Sequence, residues 1–463
     1  MPFFQLRQSP VNEWPRLPPA AVNPVWALYR ELDDTQWLPP EEIERQQLRQ
    51  LRLLLTHCRQ YIPYYQRLFA EAGIVPEQIQ DMADWRCLPR LTREAYQANF
   101  AELTARQLPA GSRKTNDSFT SGTNGVPVQV MQTNDVNQWW MACLLRDLEW
   151  CGMDPRGTLA AIRLLATSRE EFERRRGGAT APYWHKFLHT FLETGTVHTM
   201  DIHEEPRDQL RWLRKVRPDY LLSLPSNLDF LASLIRQEGE RLPNLRVIQA
   251  VGETLTQDMK EHIESAFAAP VKNLYSTTET GYIASPCPEG HGLHVHAENV
   301  LVEILDDQDQ PCRPGQTGRV VLTTLRNFLA PFLRYEILDD ATLAPGPCPC
   351  GRGLPLLTNV AGRRHPMLRL PGGRRKIITG LYLGLRQIGG CHQFQIVQRA
   401  EDHVIVRLVP DQTWSADHPT RIRALVREHC ETPMRVDVDL LERIELPRSG
   451  KLKIALIEMD ELA

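Results

Sequence analysis

Apolar residues recur at two different spacings along this chain, and each spacing predicts a different kind of element. Between Glu41 and Tyr61, leucines recur at helical spacing behind a pair of prolines, which is typical of an amphipathic helix. Residues 1–40 are instead rich in Pro and Trp, and we expect them to wrap over the surface. Helix-start signals and apolar spacing predict further helices, one beginning at Pro63 and others over Arg93–Phe100 and Asn134–Cys151.

Thr158–Ile162 predicts a short buried strand, and between residues 205 and 275 short apolar runs alternate with helical patterns, which predicts a parallel sheet. Because ligands bind at the carboxyl ends of the strands in such sheets, the polar turns after these strands are candidate site residues. The predicted strands are Thr158–Ile162, Tyr220–Leu224, Leu245–Ala250 and Val271–Tyr275, the helices are Asp208–Val216, Asn227–Glu238 and Thr256–Ala268, and the polar turns are Pro225–Ser226, Gly252–Glu253 and Tyr275–Glu279.

The pattern changes twice toward the C-terminus. From residue 293 to 340, β-type segments joined by Asp, Pro and Gly turns predict a small antiparallel sheet or barrel, in a β subdomain that covers residues 285–360. We therefore expect an α/β fold, with an N-terminal region (1–362) of parallel or mixed sheets and helices and a mobile α+β C-terminal domain (363–463). The predicted elements of that domain are strands Phe394–Gln398, Val404–Leu408 and Val436–Leu440 and helix Pro419–Cys430.

Length, net charge and composition limit the kinds of protein that this chain can be. The length of 463 residues predicts roughly two to four domains. The net charge of −3 shows no basic excess, so we expect no nucleic-acid partner. No stretch is long and apolar enough to cross a membrane, and the N-terminus lacks a secretion signal, so we expect a cytoplasmic protein. Most of the 10 cysteines stand alone, which fits a reduced compartment.

Residues 118–127 are denser in hydroxyls and glycines than any other stretch of the chain. Such a loop can present a concave nest of backbone N–H dipoles, which suits the oxygens of a polyphosphate. The Walker pattern is absent, so this is not an NTPase loop of that type. A Ser/Thr/Gly surface turn is the alternative interpretation. The candidate phosphate ligands are Ser121, Gly122, Thr123, Asn124 and Gly125.

The order of this loop and five later motifs resembles the adenylate-forming superfamily of acyl-CoA synthetases and adenylation domains. Within that superfamily the chain is most similar to the phenylacetate-CoA ligase-like branch. The single motifs are short, and their collinear order over most of the chain carries the resemblance. The later motifs are Glu253, Tyr275–Glu279, Arg334–Asp339, Gly362–Arg363 and Arg448–Lys451.

The resemblance implies a site for ATP or AMP. The loop would hold the β- and γ-phosphates, although Val128 stands where many members have Lys. Thr278 would bond the α-phosphate, and Glu279 would ligate Mg²⁺, a cation that prefers carboxylate and phosphate oxygens. Asp339 would hold the ribose hydroxyls, and Arg363 would make a second ribose or phosphate contact. The other implied nucleotide-binding residues are Gly252, Glu253, Tyr275, Ser276 and Thr277.

Lys451 resembles the catalytic lysine of the family's C-terminal loop. Attack of a carboxylate on the α-phosphate builds negative charge, which an ammonium and Mg²⁺ would stabilise. Lys453 is a competing candidate, and Asp340 competes with Asp339. Leu338 replaces the Gly that usually precedes the family's Asp, so we expect a different turn.

The segment after Gly362–Arg363 departs from the family pattern. It lacks the acidic pair at the hinge and the Pro-containing segment that contributes to thioester formation. The adenylation half of the reaction is therefore better supported than the CoA half. The acceptor stays open between CoA, the pantetheine thiol of an acyl or peptidyl carrier protein, and an amine.

A separate Cys/His pattern predicts a metal site. Cys348–Pro349–Cys350 is too tight for an ordinary disulfide and is typical of a metal clip. Cys287 and His294 complete a Cys₃His set that would form a closed, structural zinc site in the β subdomain. His291 and His296 stay open as alternative ligands, and reduced thiols with surface histidines are the interpretation without metal.

The expected activity is adenylation of a carboxylic acid, of aromatic type, followed by transfer to a thiol after the C-terminal domain rotates. We expect the acid pocket near Pro225–Ser226, Val251–Gly252 and Tyr275–Ser276. One alternative is a degenerate adenylation fold that binds a nucleotide or carrier protein without ligase activity. Another is a zinc hydrolase, which would need an open coordination position. A homodimer also stays open.

Overall fold

Helices dominate the first hundred residues of this computed structural model, which describes residues 3–7, 18–119, 128–165, 171, 176–239, 242, 244–363, 367–447 and 451–459. The helices are α1 (Asn23–Thr35), α2 (Pro40–Tyr61), α3 (Pro63–Ala72), α4 (Met82–Arg86), α5 (Arg93–Ala98), α6 (Asn134–Cys151), α7 (Pro206–Val216), α8 (Pro225–Glu238), α9 (Gln257–Phe267), α10 (Thr379–Ile388) and α11 (His418–Cys430), with short 3₁₀ helices at Ala20–Val22, Pro76–Gln78, Leu188–Thr190 and Pro371–Gly373.

Helix α1 corrects the expectation that residues 1–40 only wrap over the surface. Val25, Tyr29 and Leu32 are buried and pack against α6. Pro24 favours the start of this helix, because it lies in the first turn, where a missing N–H costs no hydrogen bond. The Tyr29 hydroxyl donates to Glu149 of α6 at 2.7 Å, which fixes the two helices further.

The strands form one large mixed sheet and three smaller ones. They are β1 (Lys114–Phe119), β2 (Gln129–Thr133), β3 (Leu159–Arg163), β4 (Ala179–Ala181), β5 (Val197–Asp201), β6 (Tyr220–Ser223), β7 (Val247–Val251), β8 (Val271–Thr277), β9 (Gly281–Pro286), β10 (Leu293–Val295), β11 (Val300–Leu305), β12 (Thr317–Thr324), β13 (Tyr335–Leu343), β14 (Leu356–Arg363), β15 (Met367–Leu370), β16 (Arg374–Ile377), β17 (Cys391–Ala400), β18 (His403–Pro410), β19 (Arg435–Leu440) and β20 (Ala455–Ile457). The large sheet has 12 strands in the order β11-β12-β13-β14-β10-β9-β8-β7-β6-β3-β5-β4.

One end of the large sheet contains the predicted parallel strands. Strands β3, β6, β7 and β8 lie close to the predicted bounds and pair in parallel, and β5, which the sequence did not predict, pairs in parallel with β3. Successive residues of these strands point to opposite faces. Leu221 packs in the core under α7, α8 and α9, whereas its neighbour Tyr220 packs in the core under α1 and α6. The sheet is therefore covered by helices on both faces.

The antiparallel strands do not form a sheet of their own. The prediction of antiparallel pairing after residue 293 is right, but the separate sheet or barrel is wrong, because β9 pairs antiparallel with the last parallel strand, β8. Strands β10 to β14 then continue the same sheet. The β8–β9 pairing places the Tyr275–Glu279 motif at the point where the sheet changes direction.

The C-terminal part matches the predicted α+β unit. Strands β17 to β20 form a sheet of 4 strands in the order β19-β18-β17-β20, and α10 and α11 share one hydrophobic core with it. The sequence did not predict α10 or the β15–β16 hairpin. The boundary at residue 363 stays a prediction.

No helix among the described residues is both long and apolar enough to cross a membrane.

Candidate active site

Glu253 lies where the carboxyl ends of the parallel strands meet. Its Oε2 accepts a hydrogen bond from the backbone N–H of Ser226, in the first turn of α8, at 3.0 Å. Its Oε1 accepts from the backbone N–H of Leu452 at 3.1 Å. Burial raises the pKa of Glu253, although these hydrogen bonds and the nearby Lys451 ammonium act to lower it. Glu253 therefore ties the sheet edge to the C-terminal segment that carries Lys451.

Gly252 lies next to that lysine. A β-carbon at this position would lie 3.8 Å from both Cε and Nζ of Lys451. The φ angle of Gly252 is 83°, a left-handed conformation that L-residues with a side chain adopt at a cost. Lys453, the competing candidate, follows in the same segment, and its carbonyl accepts from the Gln395 side chain at 2.8 Å. The structure thus brings Lys451 to the predicted nucleotide residues.

Tyr275 and Asp339 also meet at this edge. The Tyr275 hydroxyl donates to Oδ2 of Asp339 at 2.9 Å, which joins the end of β8 to β13. Burial and the charge of Asp339 raise the pKa of Tyr275 far above its ordinary value. Asp340, the competing residue, lies opposite Gly362 in the β13–β14 register, one pair along from Asp339 and Arg363. The side chain of Arg363 lies outside what the structure describes.

Leu338 keeps a backbone conformation that favours glycine. Its φ is 65°, so the replacement of glycine does not require the different turn that we expected. Gly362 allows β14 to lie close to Thr254, because a β-carbon at position 362 would overlap the Thr254 hydroxyl. The β13–β14 edge can therefore pack tightly against the turn after β7.

The Tyr275–Glu279 motif ends in the tight turn of the β8–β9 hairpin. The Thr280 N–H donates to Oγ1 of Thr277 at 3.2 Å, and the two hydroxyls are 3.0 Å apart. Ser276 pairs with Tyr282 across the hairpin, and Thr278 is exposed at the turn. The contacts between Thr277 and Thr280 close the turn that carries Glu279.

A cavity of about 330 Å³ lies beside this turn. It touches none of the residues around which we expected the acid pocket, and this location was not predicted. Among the residues that line the cavity, the sequence pointed only to those of the β8–β9 hairpin. The other lining residues come from separate segments, and only the fold brings these segments together. The lining residues are Gln132, Val136, Asn137, Trp140, Thr277–Gly281, Asn299, Thr324, Arg326 and Asn327.

The predicted phosphate ligands Ser121, Gly122, Thr123, Asn124 and Gly125 lie outside the described residues. The strands on either side of them are described. Strands β1 and β2 pair antiparallel from Lys114–Thr133 to Phe119–Gln129, so the segment joins the two strands of a hairpin. The role of the loop in phosphate binding stays a prediction.

The predicted zinc ligands lie together. One ligand atom from each of Cys287, His294, Cys348 and Cys350 lies within 4.8 Å of all the others. Nε2 of His294 is 3.2 Å from Sγ of Cys350, and its Nδ1 donates to the carbonyl of Leu354 at 3.2 Å. A second hydrogen bond of this kind orients a metal-binding imidazole. Three thiols and one imidazole fit a closed tetrahedral zinc site.

The other two histidines do not join this cluster. His291 is partly exposed and lies 3.4 Å from the Glu289 carboxylate. His296 is fully buried, with Nε2 at 2.8 Å from the Ser285 hydroxyl and its ring stacked on Trp150. The geometry therefore favours His294 among the candidates that the sequence left open.

Comparison with known proteins identifies the class to which this sheet and site belong. Residues 115–328 match the model of the AMP-binding enzyme family, and residues 374–457 match the CapK C-terminal domain. Over these residues the chain is similar to the adenylate-forming superfamily, and the curated relatives that it matches are phenylacetate-CoA ligases of that superfamily.

Those relatives match over about three quarters of their length. A phenylacetate-coenzyme A ligase of Escherichia coli is 27% identical over 350 residues, which cover 74% of this chain and 76% of that protein. A phenylacetate-coenzyme A ligase of Thermus thermophilus is 24% identical over 353 residues, which cover 73% of this chain and 74% of that protein.

The fold is also similar to that of a solved 2-hydroxyisobutyryl-CoA ligase. In its postadenylation state, with 2-HIB-AMP, that enzyme has a TM-score of 0.73 at 18% identity, over 96% of this chain and 94% of that one. In its thioesterification state the TM-score is 0.60, over 98% and 97% of the two chains.

Proposed function

We propose that the protein activates a carboxylic acid as an acyl-adenylate, releases pyrophosphate, and then transfers the acyl group to a thiol. The approach of Lys451 to Gly252 and Glu253 carries this proposal, because it delivers a cation from the C-terminal part to the strand ends of the sheet. The relatives that are named phenylacetate-coenzyme A ligase support an aromatic acid and CoA as the substrates.

The chemistry gives Lys451 a defined task. When the carboxylate oxygen bonds to the α-phosphorus of ATP, the bond from that phosphorus to the pyrophosphate oxygen breaks, and negative charge grows on both groups. A fixed ammonium stabilises this charge more in the transition state than in the ground state. Asp339, beside the Tyr275 hydroxyl, would hold the ribose and so position the α-phosphate.

Glu279 is the proposed ligand of Mg²⁺. The turn that carries it also presents the hydroxyls of Thr277, Thr278 and Thr280, and oxygen donors are what this cation prefers. Mg²⁺ bound with ATP would withdraw charge from the phosphates.

The cavity beside this turn is the proposed acid pocket. It borders Thr278 and Glu279, which the resemblance assigns to the α-phosphate and to Mg²⁺, so a carboxylate bound there would lie next to the reacting phosphorus. A volume of about 330 Å³ falls within the range of small-molecule pockets. Trp140 supplies an aromatic wall for an aromatic acid.

Thiol transfer requires the C-terminal part to move. Lys451 and Leu452 occupy the strand ends, so we propose that this part rotates away before the acceptor thiol arrives. The higher TM-score to the postadenylation state than to the thioesterification state of the solved ligase supports this assignment of the present arrangement.

The decisive experiment measures pyrophosphate release from ATP with a panel of aryl and alkyl acids. In Lys451→Ala we expect the rate of adenylation to fall by roughly 100-fold or more, because a charge-stabilising group is lost from the transition state. The affinity for ATP should change little. CoA, a carrier-protein thiol and an amine, each added after acyl-adenylate formation, identify the acceptor.

Lys453→Ala is the matched control, since it removes a lysine from the same segment and should leave the rate of pyrophosphate release nearly unchanged. If Lys453→Ala is the more damaging variant, the assignment of Lys451 is wrong. ATP binding without pyrophosphate release for any acid would overturn the ligase proposal in favour of a non-catalytic nucleotide-binding protein.

A further inference from the structure

Arg326 places a positive charge in the wall of the proposed acid pocket. Its Nε donates to the carbonyl of Glu298 at 2.9 Å, and its Nη1 donates to Oε1 of Gln50 at 2.8 Å. Both acceptors are neutral. Within the described part of the chain, Nη2 of Arg326 has no hydrogen-bond acceptor, and no carboxylate forms a salt bridge with the guanidinium.

The acidic side chain of Glu298, whose carbonyl accepts from Arg326, is already engaged. The carboxylate of Glu298 pairs with the buried Arg146 at 2.8 Å, so its charge is largely balanced there. Trp139 stacks under Arg326, with the guanidinium carbon 4.0 Å from the ring centroid, which compensates the charge only in part. Arg326 therefore faces the cavity with an incompletely neutralised charge.

Burial makes this charge costly. Desolvation lowers the pKa of Arg326 to about 10, against the opposing effect of Glu298, and the side chain stays protonated at neutral pH. A buried cation without a counter-charge is stabilised when an anion binds next to it. Such a group in a ligand pocket points to a ligand rather than to the stability of the fold.

We propose that Arg326 is a specificity-determining residue, whose Nη2 receives a second anionic group at the end of the substrate remote from the reacting carboxyl. The preferred substrate is thus an acid with an additional carboxylate, or a group of similar charge. Gln132, whose side chain has no hydrogen-bond partner among the described residues and lines the same cavity, would add a neutral contact to that group. This inference rests on the proposed function.

Glu279 limits when this preference can operate. Its carboxylate lines the same cavity and would repel a doubly charged acid in the absence of Mg²⁺. We therefore expect the preference for the second anionic group in the presence of ATP and Mg²⁺, the conditions under which adenylation is measured.

The test compares acids that have the same shape and differ in charge. Terephthalate is paired with its monoamide, 4-carboxyphenylacetate with 4-carbamoylphenylacetate, and adipate with its monoamide, and kcat/KM is measured by pyrophosphate release. For the unmodified protein we expect the anionic member of at least one pair to be preferred by about 10-fold or more, the range of a charge-assisted hydrogen bond.

Arg326→Gln should reduce this preference to about equal rates, mainly through KM for the anionic acid. Arg326→Lys keeps the charge and should retain part of the preference, which separates a charge effect from damage to the fold. The thermal midpoint of each variant reports folding. Should Arg326→Gln not fold, the preference of the unmodified protein and its change in Arg326→Lys decide the question.

Equal rates for both members of every pair, or the same ratio in the unmodified protein and Arg326→Gln, would overturn the role of Arg326 and leave the ligase proposal standing. Absence of pyrophosphate release with all six acids and with the wider acid panel would instead contradict the proposed function itself.

Discussion

Leu338 holds a backbone conformation that its own side chain disfavours. Its φ is 65°, and its side chain is 44% exposed, so little packing is gained in return. The conformation matters because the next residue, Asp339, accepts the hydrogen bond from Tyr275. An L-residue with a β-carbon pays about 1 kcal/mol or more in the left-handed region. The turn that positions Asp339 is therefore maintained by its surroundings.

We predict that Leu338→Gly is more stable than Leu338→Ala by about 1 kcal/mol in the free energy of unfolding, because only glycine adopts this φ without strain. Both variants lose the leucine side chain, so their difference isolates the backbone. Urea-unfolding midpoints measure it.

The neighbouring Ile337 supplies the control for this prediction. It is not among the residues with positive φ, so glycine there should be less stable than alanine by roughly 0.5–1 kcal/mol, the opposite sign. An Ala variant at position 338 that equals or exceeds the Gly variant in stability would show that the turn is not strained.

Single site residues could be predicted where a polar residue directly follows a predicted strand. Glu253 follows that rule, and the structure places it at the sheet edge with Lys451. Asp339 lies within β13, where it contacts Tyr275, and its prediction came from the family resemblance. Arg326 was not predictable, because an arginine near an apolar run is ordinary in sequence. Arg326 stands out because no described carboxylate forms a salt bridge with it in the folded chain. The residues next to Arg326 in the sequence do not show this.

At the scale of elements, the Cys/His cluster joins three segments of the antiparallel half-sheet. Cys287 follows β9, His294 lies in β10, and Cys348 and Cys350 lie in the connection from β13 to β14. We propose that a zinc ion bound by these four residues holds the β13–β14 connection against the sheet. A structural zinc site contributes directly to folding, because the site does not exist in the unfolded chain.

Cys348→Ala should remove one equivalent of zinc and lower the thermal midpoint by several degrees, since one of four ligands is lost. Metal analysis of the purified protein and a thermal melt measure the two effects. Cys87→Ala is the matched control, because Cys87 is exposed and lies outside the cluster. Zinc retained at full stoichiometry in Cys348→Ala would refute the assignment.

The elements themselves were predicted better than their assembly. Strands β6, β7 and β8 and helix α6 have clear periodicity, and the structure shows them near the expected bounds. That β9 pairs with β8, and so joins two predicted sheets into one, depends on a tight hairpin turn whose Thr and Glu residues carry no strong turn signal. Pairing between strands is decided by packing, not by either strand's sequence alone.

At the scale of the whole molecule, a buried ion pair connects the two parts of the chain. Both terminal nitrogens of the Arg386 guanidinium, on α10, contact the carboxylate of Asp229 on α8, with Nη2 at 3.0 Å from Oδ1. His262 also contacts that oxygen, at 2.7 Å. Burial alone would raise the pKa of Asp229, but these two partners hold it below its ordinary value. The pair stabilises the arrangement that keeps Lys451 at the sheet edge.

The proposed rotation must break this pair, so its removal should slow the first half-reaction without slowing the second. In Arg386→Ala we expect pyrophosphate release to fall by about 10-fold or more, because breaking a buried pair is costly and leaves Asp229 without its main counter-charge. Thioester formation from preformed acyl-adenylate, which does not need Lys451 at the sheet edge, should be unchanged or faster. Rapid-quench measurement of each half-reaction separates the two effects.

Arg443→Ala is the control for the same interface. Arg443 pairs with Glu205 across the two parts of the chain at 3.0 Å, but the side chains are 65% and 58% exposed, and an exposed pair of this kind contributes little. Both half-reactions should then proceed at nearly the unmodified rate. If Arg386→Ala slowed the two half-reactions equally, the ion pair would support the fold as a whole, and the arrangement of the two parts would have to be held by other contacts, such as those of Glu253 with Leu452.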